Sequence, residues 1–102
     1  MSLRRRLPDR RSTETFALDH NGQTYEVSIG SFDDGSIAEV FASSRKIGTE
    51  MDALARDAAV LLSIALQFGV PLETFASALT RNEQGEPSSF VGALIDQIGV
   101  PA

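Results

Sequence analysis

Apolar and polar positions in the first half of the chain alternate with period two, and in the second half they recur with period 3.6. Thr15-Phe16-Ala17-Leu18 and Thr24-Tyr25-Glu26-Val27-Ser28-Ile29 flank Asn21-Gly22, a pair that suits a two-residue type I′ hairpin because both positions need positive φ. That turn sets Leu18 opposite Tyr25 and Phe16 opposite Val27, so the apolar sides of the two strands coincide. A second two-residue turn at Asp34-Gly35 sets Ile29 opposite Val40 and Val27 opposite Ala42 in a third strand. A slip of one residue would bring Glu39 opposite Ile29, which a buried face disfavours. The chosen register sends Phe32, Ile37 and Phe41 to the opposite side of the sheet. Three large apolar groups there require a cover: Leu3 and Leu7 of the N-terminal segment, a second copy of the chain, or another protein.

From residue 49 the helical period takes over. Thr49 reads as an N-cap with Asp52 three positions on, and Gly69 reads as the stop. Met51, Leu54, Ala55, Ala58, Leu61, Leu62 and Ala65 fall on one stripe, expected to face the sheet. From Ala58 to Leu66 only Ser63 is polar, so these turns are expected to be buried on most sides as the central helix, packed across the sheet. Pro71 opens a second helix with Leu72, Phe75, Ala76 and Leu79 inward. Residues 82–87 form a loop, and Ser88 or Ser89 caps a short final helix with Phe90, Leu94, Ile95 and Ile98 inward. The predicted class is α+β: a three-stranded antiparallel meander, a long central helix and two shorter helices.

A chain of 102 residues, 42% apolar and 23% charged, is the size of one globular domain. Charge adds a boundary to this picture. Residues 1–11 carry five arginines against Asp9, a net +4, whereas residues 12–102 carry a net −9. The segment 1–11 therefore reads as a flexible basic arm and 12–102 as the domain. The acidic body is a poor match for a phosphate backbone. The arm either contacts a nucleic acid or an acidic protein face, or folds onto its own domain. The sequence shows neither an apolar run long enough for a bilayer nor a secretory pattern, which points to the cytoplasm.

Zero cysteines exclude thiolate metal sites and cysteine nucleophiles. The single His20, at a hairpin tip, has no metal-ligand spacing around it. Asp33-Asp34 before glycine is ordinary turn chemistry. No metal, cofactor or catalytic residue is expected. The segment with most chemical promise joins the third strand to the long helix, Arg45-Lys46-Ile47-Gly48-Thr49. Lys46, the close backbone approach allowed at Gly48, the Thr49 helix start and Arg56 from the helix, together with Arg10 and Arg11 of the arm, make a candidate anion or nucleotide site. A capped helix beside a solvated lysine is the alternative. Asp52 and Arg56 are expected to pair on the surface, and Asp57 to be partly buried with Arg81 or an arm arginine.

Glu39-Val40-Phe41, Lys46-x-Gly48-Thr49 and Gly69-Val70-Pro71-Leu72-Glu73, in this order and spacing, resemble the TSCPD domain family. The resemblance runs over about residues 7–98 and takes in Leu7-Pro8-Asp9-Arg10-Arg11 and Ala55-Arg56-Asp57-Ala58-Ala59, which look most like the free-standing bacterial members. Other members form the C-terminal module of cobalamin-dependent ribonucleotide reductases. The resemblance implies an association with ribonucleotide reduction, not the reaction, which needs a thiyl radical and a dithiol. The family's eponymous cysteine has no counterpart near Ser88-Ser89. The expected role is a non-catalytic binding module, with Phe32, Ile37 and Phe41 as its partner surface. Its partner would be a second copy, making a homodimer, or another protein such as a ribonucleotide reductase. Nucleotide or nucleic-acid binding at the arm and the Arg45–Thr49 junction is the alternative.

Overall fold

The computed structural model describes residues 3–99 and divides between Val70 and Pro71 into two compact units. The first holds β1 (Thr13–His20), β2 (Gln23–Ser31), β3 (Ile37–Ser44) and α1 (Glu50–Gln67). The second holds α2 (Leu72–Ala78) and α3 (Phe90–Ile98). The α+β class and the order of elements are those the patterning predicts. No helix among the described residues is long and apolar enough to cross a membrane.

In the first unit the sheet is a β1-β2-β3 meander. Asn21 and Gly22 have φ of 49° and 77°, the positive values a type I′ turn requires. Leu18 faces Tyr25, Phe16 faces Val27, Ile29 faces Val40 and Val27 faces Ala42, as the alternation demands. Leu18, Tyr25, Val27, Ile29, Val40 and Ala42 are buried.

The second hairpin differs from expectation at its tip. Phe32 N–H donates to Ser36 C=O at 2.8 Å and Gly35 N–H to Phe32 C=O at 2.9 Å, which closes a three-residue loop instead of two. The added residue is absorbed at once: Gly30 pairs with Glu39 but Ser31 pairs with Ile37, leaving Ala38 as a bulge. The bulge preserves the register beyond it. It also moves Ile37, which now pairs with Ser31, on the side of Val27 and Ile29 instead of the side of Phe41.

α1 lies along β3, and the reason is the exposed edge of that strand. Val40 N–H donates to Ser63 Oγ at 2.7 Å, and the Ser63 hydroxyl faces Val40 C=O at 3.0 Å. Gln67 Nε2 donates to Ala38 C=O at 3.0 Å, and Ser44 N–H donates to Asp52 Oδ1 at 2.8 Å. Three polar side chains of the helix thus stand where a fourth strand would bond. Asp52, Ala55, Ala59, Leu62 and Gln67 are the buried positions of α1. The helix is therefore turned by roughly one residue, ~100° about its axis, from the predicted stripe. Leu54 and Leu61, expected inside, are 63% and 69% exposed. Val60, Ile64 and Phe68 are exposed too, so the later turns are not enclosed. A buried strand edge with unpaired N–H and C=O groups costs more than leaving two leucines wet, and that difference sets the rotation.

In the second unit α2 packs against α3. Ser89 Oγ caps α3 by accepting from Gly92 N–H at 3.1 Å, and Phe90, Leu94 and Ile95 are buried. Arg81 binds Asp96 through both terminal nitrogens, at 2.9 and 2.7 Å, and also donates to Ala76 C=O and Gly85 C=O. Arg81 thus pairs with Asp96, and Asp57, expected to be partly buried, is exposed on the outer side of α1.

Candidate functional site

The strand-to-helix junction is organised around Asp52, not around a cationic residue. Thr49 caps α1 through Oγ1, which accepts from Asp52 N–H at 3.2 Å and donates to Lys46 C=O at 2.7 Å. The Asp52 side chain turns back and accepts from Ser44 N–H, from Gly48 N–H at 3.4 Å and from Arg56 Nε at 3.0 Å. Arg56 above all, then the Ser44 and Gly48 N–H groups, holds this carboxyl below its ordinary value, against the opposing effect of burial. Gly48, Thr49 and Arg56 thus converge, as the spacing suggested, and their centre is occupied by a carboxylate of the chain itself. The Asp52–Arg56 pair forms as expected, but Asp52 is 4% exposed where a surface position was expected. The strand end that needs a partner for Ser44 N–H draws it inward.

The other anion-site candidates lie elsewhere. The Lys46 side chain is exposed, as is Arg10. Arg11 pairs with Glu39 and donates to Pro8 C=O at 2.8 Å. Glu39 can reach it because it lies across Gly30: a Cβ on Gly30 would stand 2.5 Å from Glu39 Oε2 and 2.8 Å from its Cγ. Arg5 N–H donates to Gln67 C=O at 2.6 Å, and the Arg5 guanidinium sits 3.8 Å from the centre of the Phe32 ring while pairing with Asp34. Two bonds from Ser36, and then Arg5, hold the Asp34 carboxyl at about 2. The N-terminal segment is therefore joined to the end of α1 at Gln67 and to the β2–β3 hairpin at Phe32, Asp34 and Glu39.

The three residues expected to form a partner surface separate accordingly. Phe32 is buried, at 6% exposure, with the Arg5 guanidinium over its ring; of the two expected covers, Leu7 is half-buried and lines the same hollow as Phe32, whereas Leu3 is 93% exposed. Ile37 is half-buried on the other side of the bulge. Phe41 alone stands out, at 59%.

Phe41 is not isolated. It belongs to a groove of about 480 Å³ between the outer side of β2–β3 and one flank of α1. Phe41, Ala59, Val60 and Ile64 make it apolar; Arg4, Arg56, Glu26 and Glu39 form its polar border. Both acids are paired, Glu26 with Arg45 and Glu39 with Arg11. Sequence reasoning missed this groove because it placed Val60 and Ile64 inside. The available signal was Asp52, Ser63 and Gln67, three polar residues on one stripe of an otherwise apolar helix.

The TSCPD domain model matches residues 2–100. Several vitamin B12-dependent ribonucleotide reductases are similar over part of their length. The one from Agrobacterium fabrum is 36% identical over 77 residues, 76% of this chain and 6% of that protein. That from Streptantibioticus cattleyicolor is 33% identical over 86 residues, 84% of this chain and 14% of its own. A third, from Rhodopirellula baltica, is 34% identical over 74 residues, covering 72% and 7%. The chain thus spans a small part of the relatives it matches. No solved structure matches it.

Proposed function

The chain belongs to the TSCPD domain family, and from that premise we propose that it is a non-catalytic docking module working through protein–protein contacts. The observation that carries this reading is the apolar surface of α1 and its neighbour on β3: Leu54, Val60, Leu61, Ile64, Phe68 and Phe41 are all exposed within one unit. Asp57 lies among the helix residues of this group, yet monomeric soluble domains seldom leave so many large apolar side chains uncovered together. The partner we favour is a vitamin B12-dependent ribonucleotide reductase polypeptide, because proteins of that name contain a segment similar to this chain. A homodimer through the same face is the simpler version. A chain without cysteine supplies no thiyl radical, which supports a role beside such an enzyme and not as one.

Calorimetric titration of the chain with such a reductase, with light scattering of the chain alone, tests the reading. Saturable association, weakened tenfold or more (roughly 1.4 kcal/mol) by Leu61→Ser, is the expected result. A monomer that does not associate at about 0.1 mM would overturn it.

Arg6, Arg10 and Lys46 favour a second reading. All three are exposed, and none is ion-paired among the described residues. On this reading the arm and the Arg45–Thr49 junction bind a nucleotide or nucleic acid. Nucleotides and short RNA titrated at two ionic strengths should then bind with affinity that falls steeply as salt rises.

A further inference from the structure

We infer that the groove beside Phe41 receives an extended peptide segment of the partner, apolar in the middle and carboxylate-bearing toward both ends. The inference rests on the docking reading and names the chemistry of what docks. Its basis is the way two arginines are held. Arg4 Nε donates to Gln67 Oε1 at 2.7 Å, and Arg56 Nε donates to Asp52 Oδ2 at 3.0 Å. Each is gripped by its inner nitrogen, and among the described residues neither gives a hydrogen bond from its two terminal nitrogens, the pair that binds a carboxylate side by side. The ion-paired arginines elsewhere use terminal nitrogens internally, as Arg5 does on Asp34, Arg45 on Glu26 and Arg81 on Asp96. Arg11 gives a terminal nitrogen to Pro8 C=O. Arg4 and Arg56 both line the groove, and the partner of Arg4 is a neutral amide.

Length and shape select an extended chain. Arg56 and Gln67 stand about 16 Å apart along the axis of α1 at ~1.5 Å per residue, the span of about five extended residues. Phe41, Val60 and Ile64 between them offer an apolar seat. A trough bounded by one sheet side and one helix leaves much of an occupant uncovered, whereas small-molecule sites enclose most of theirs. A peptide continuing into a larger interface has no such need. The same helix carries the contact onward, since Val60 and Ile64 border Leu61 on its exposed side.

The test is fluorescence polarisation of the full chain with an end-capped, labelled Glu-Leu-Phe-Leu-Glu peptide and its Lys-Leu-Phe-Leu-Lys counterpart. The acidic probe is expected to bind saturably and the basic one not. Arg4→Gln and Phe41→Ala should each weaken the acidic probe tenfold or more. Arg56→Gln disturbs Asp52, so Arg56→Lys, which can keep that ion pair, serves as the second variant, with thermal melting confirming the fold. Equal binding of both probes, or affinity unchanged in Arg4→Gln and Arg56→Lys, overturns the inference. So does absence of binding by the acidic probe. The reductase titration is read separately: an association that survives Arg4→Gln and Arg56→Lys sinks the groove and leaves docking standing, while peptide binding without reductase association does the reverse.

Discussion

The two sides of α1 invert the usual distribution of residue types. The side against β3 carries Asp52, Ala55, Ala59, Ser63 and Gln67, small or polar, with Leu62 the one large apolar group among its buried positions, while the outward side carries Leu54, Val60, Leu61 and Ile64 around Asp57, with Phe68 at the cap. An amphipathic helix packed on a sheet face normally does the opposite. The difference is that α1 meets β3 at its edge, where backbone groups and not side chains set the demand. Alanines at 55 and 59 permit close approach, and the three polar side chains supply hydrogen bonds to the strand. What remains outside is a row of large apolar groups with no role in that contact.

If the inner side is held by hydrogen bonds, its loss should be severe. Asp52→Ala removes the acceptor shared by Ser44, Gly48 and Arg56 and should lower Tm by ~10 °C or more in thermal unfolding. Ser63→Ala leaves Val40 N–H without its acceptor and should cost about 1–3 kcal/mol in denaturant unfolding. A loss below half a kcal/mol there would break the comparison, because it would mean the strand edge tolerates an unpaired N–H.

The sheet's outer side gives an intermediate test. Gly30→Ala would push Glu39 off its seat and release Arg11, at a cost of about 1–2 kcal/mol. The same side has an acid signature. Asp34, held at about 2 against an ordinary 3.8, contributes stability that is present above pH 3.8 and is lost as pH falls toward 2. Asp52, held down chiefly by Arg56, and Asp96, held down chiefly by Arg81, act in the same direction. Asp34→Asn should therefore flatten the acid limb of a stability–pH curve while altering its neutral plateau less than Asp52→Ala does.

The smallest effect on stability belongs to the outward side. Leu61→Ser, at 69% exposure, should shift unfolding by no more than about 0.5 kcal/mol while abolishing most partner association. A large loss of stability in the isolated chain would show that the outward leucines already serve the fold, and the comparison would lose its meaning.

Much of the architecture could be read from residue order because it depends on local rules. Asn21-Gly22 specifies its turn through positive φ, the alternation around it specifies which residues pair, and Thr49 and Ser89 specify helix starts through oxygens next to orphan N–H groups. These need no knowledge of distant parts of the chain. The face that α1 presents does need it. Hydrophobic periodicity ranks Leu54 and Leu61 as core, and only the position of β3's bare edge turns the helix so that Asp52, Ser63 and Gln67 go inward. Likewise, the exposure of Phe32 was undecidable from alternation, since the Arg5 guanidinium over its ring comes from a segment with no periodicity. The groove at Phe41 follows from both outcomes. Turn and cap preferences fix elements one at a time, whereas a helix's rotation and an arm's course are set by whichever unpaired backbone groups and charges happen to lie alongside, and those become neighbours only when the chain has folded.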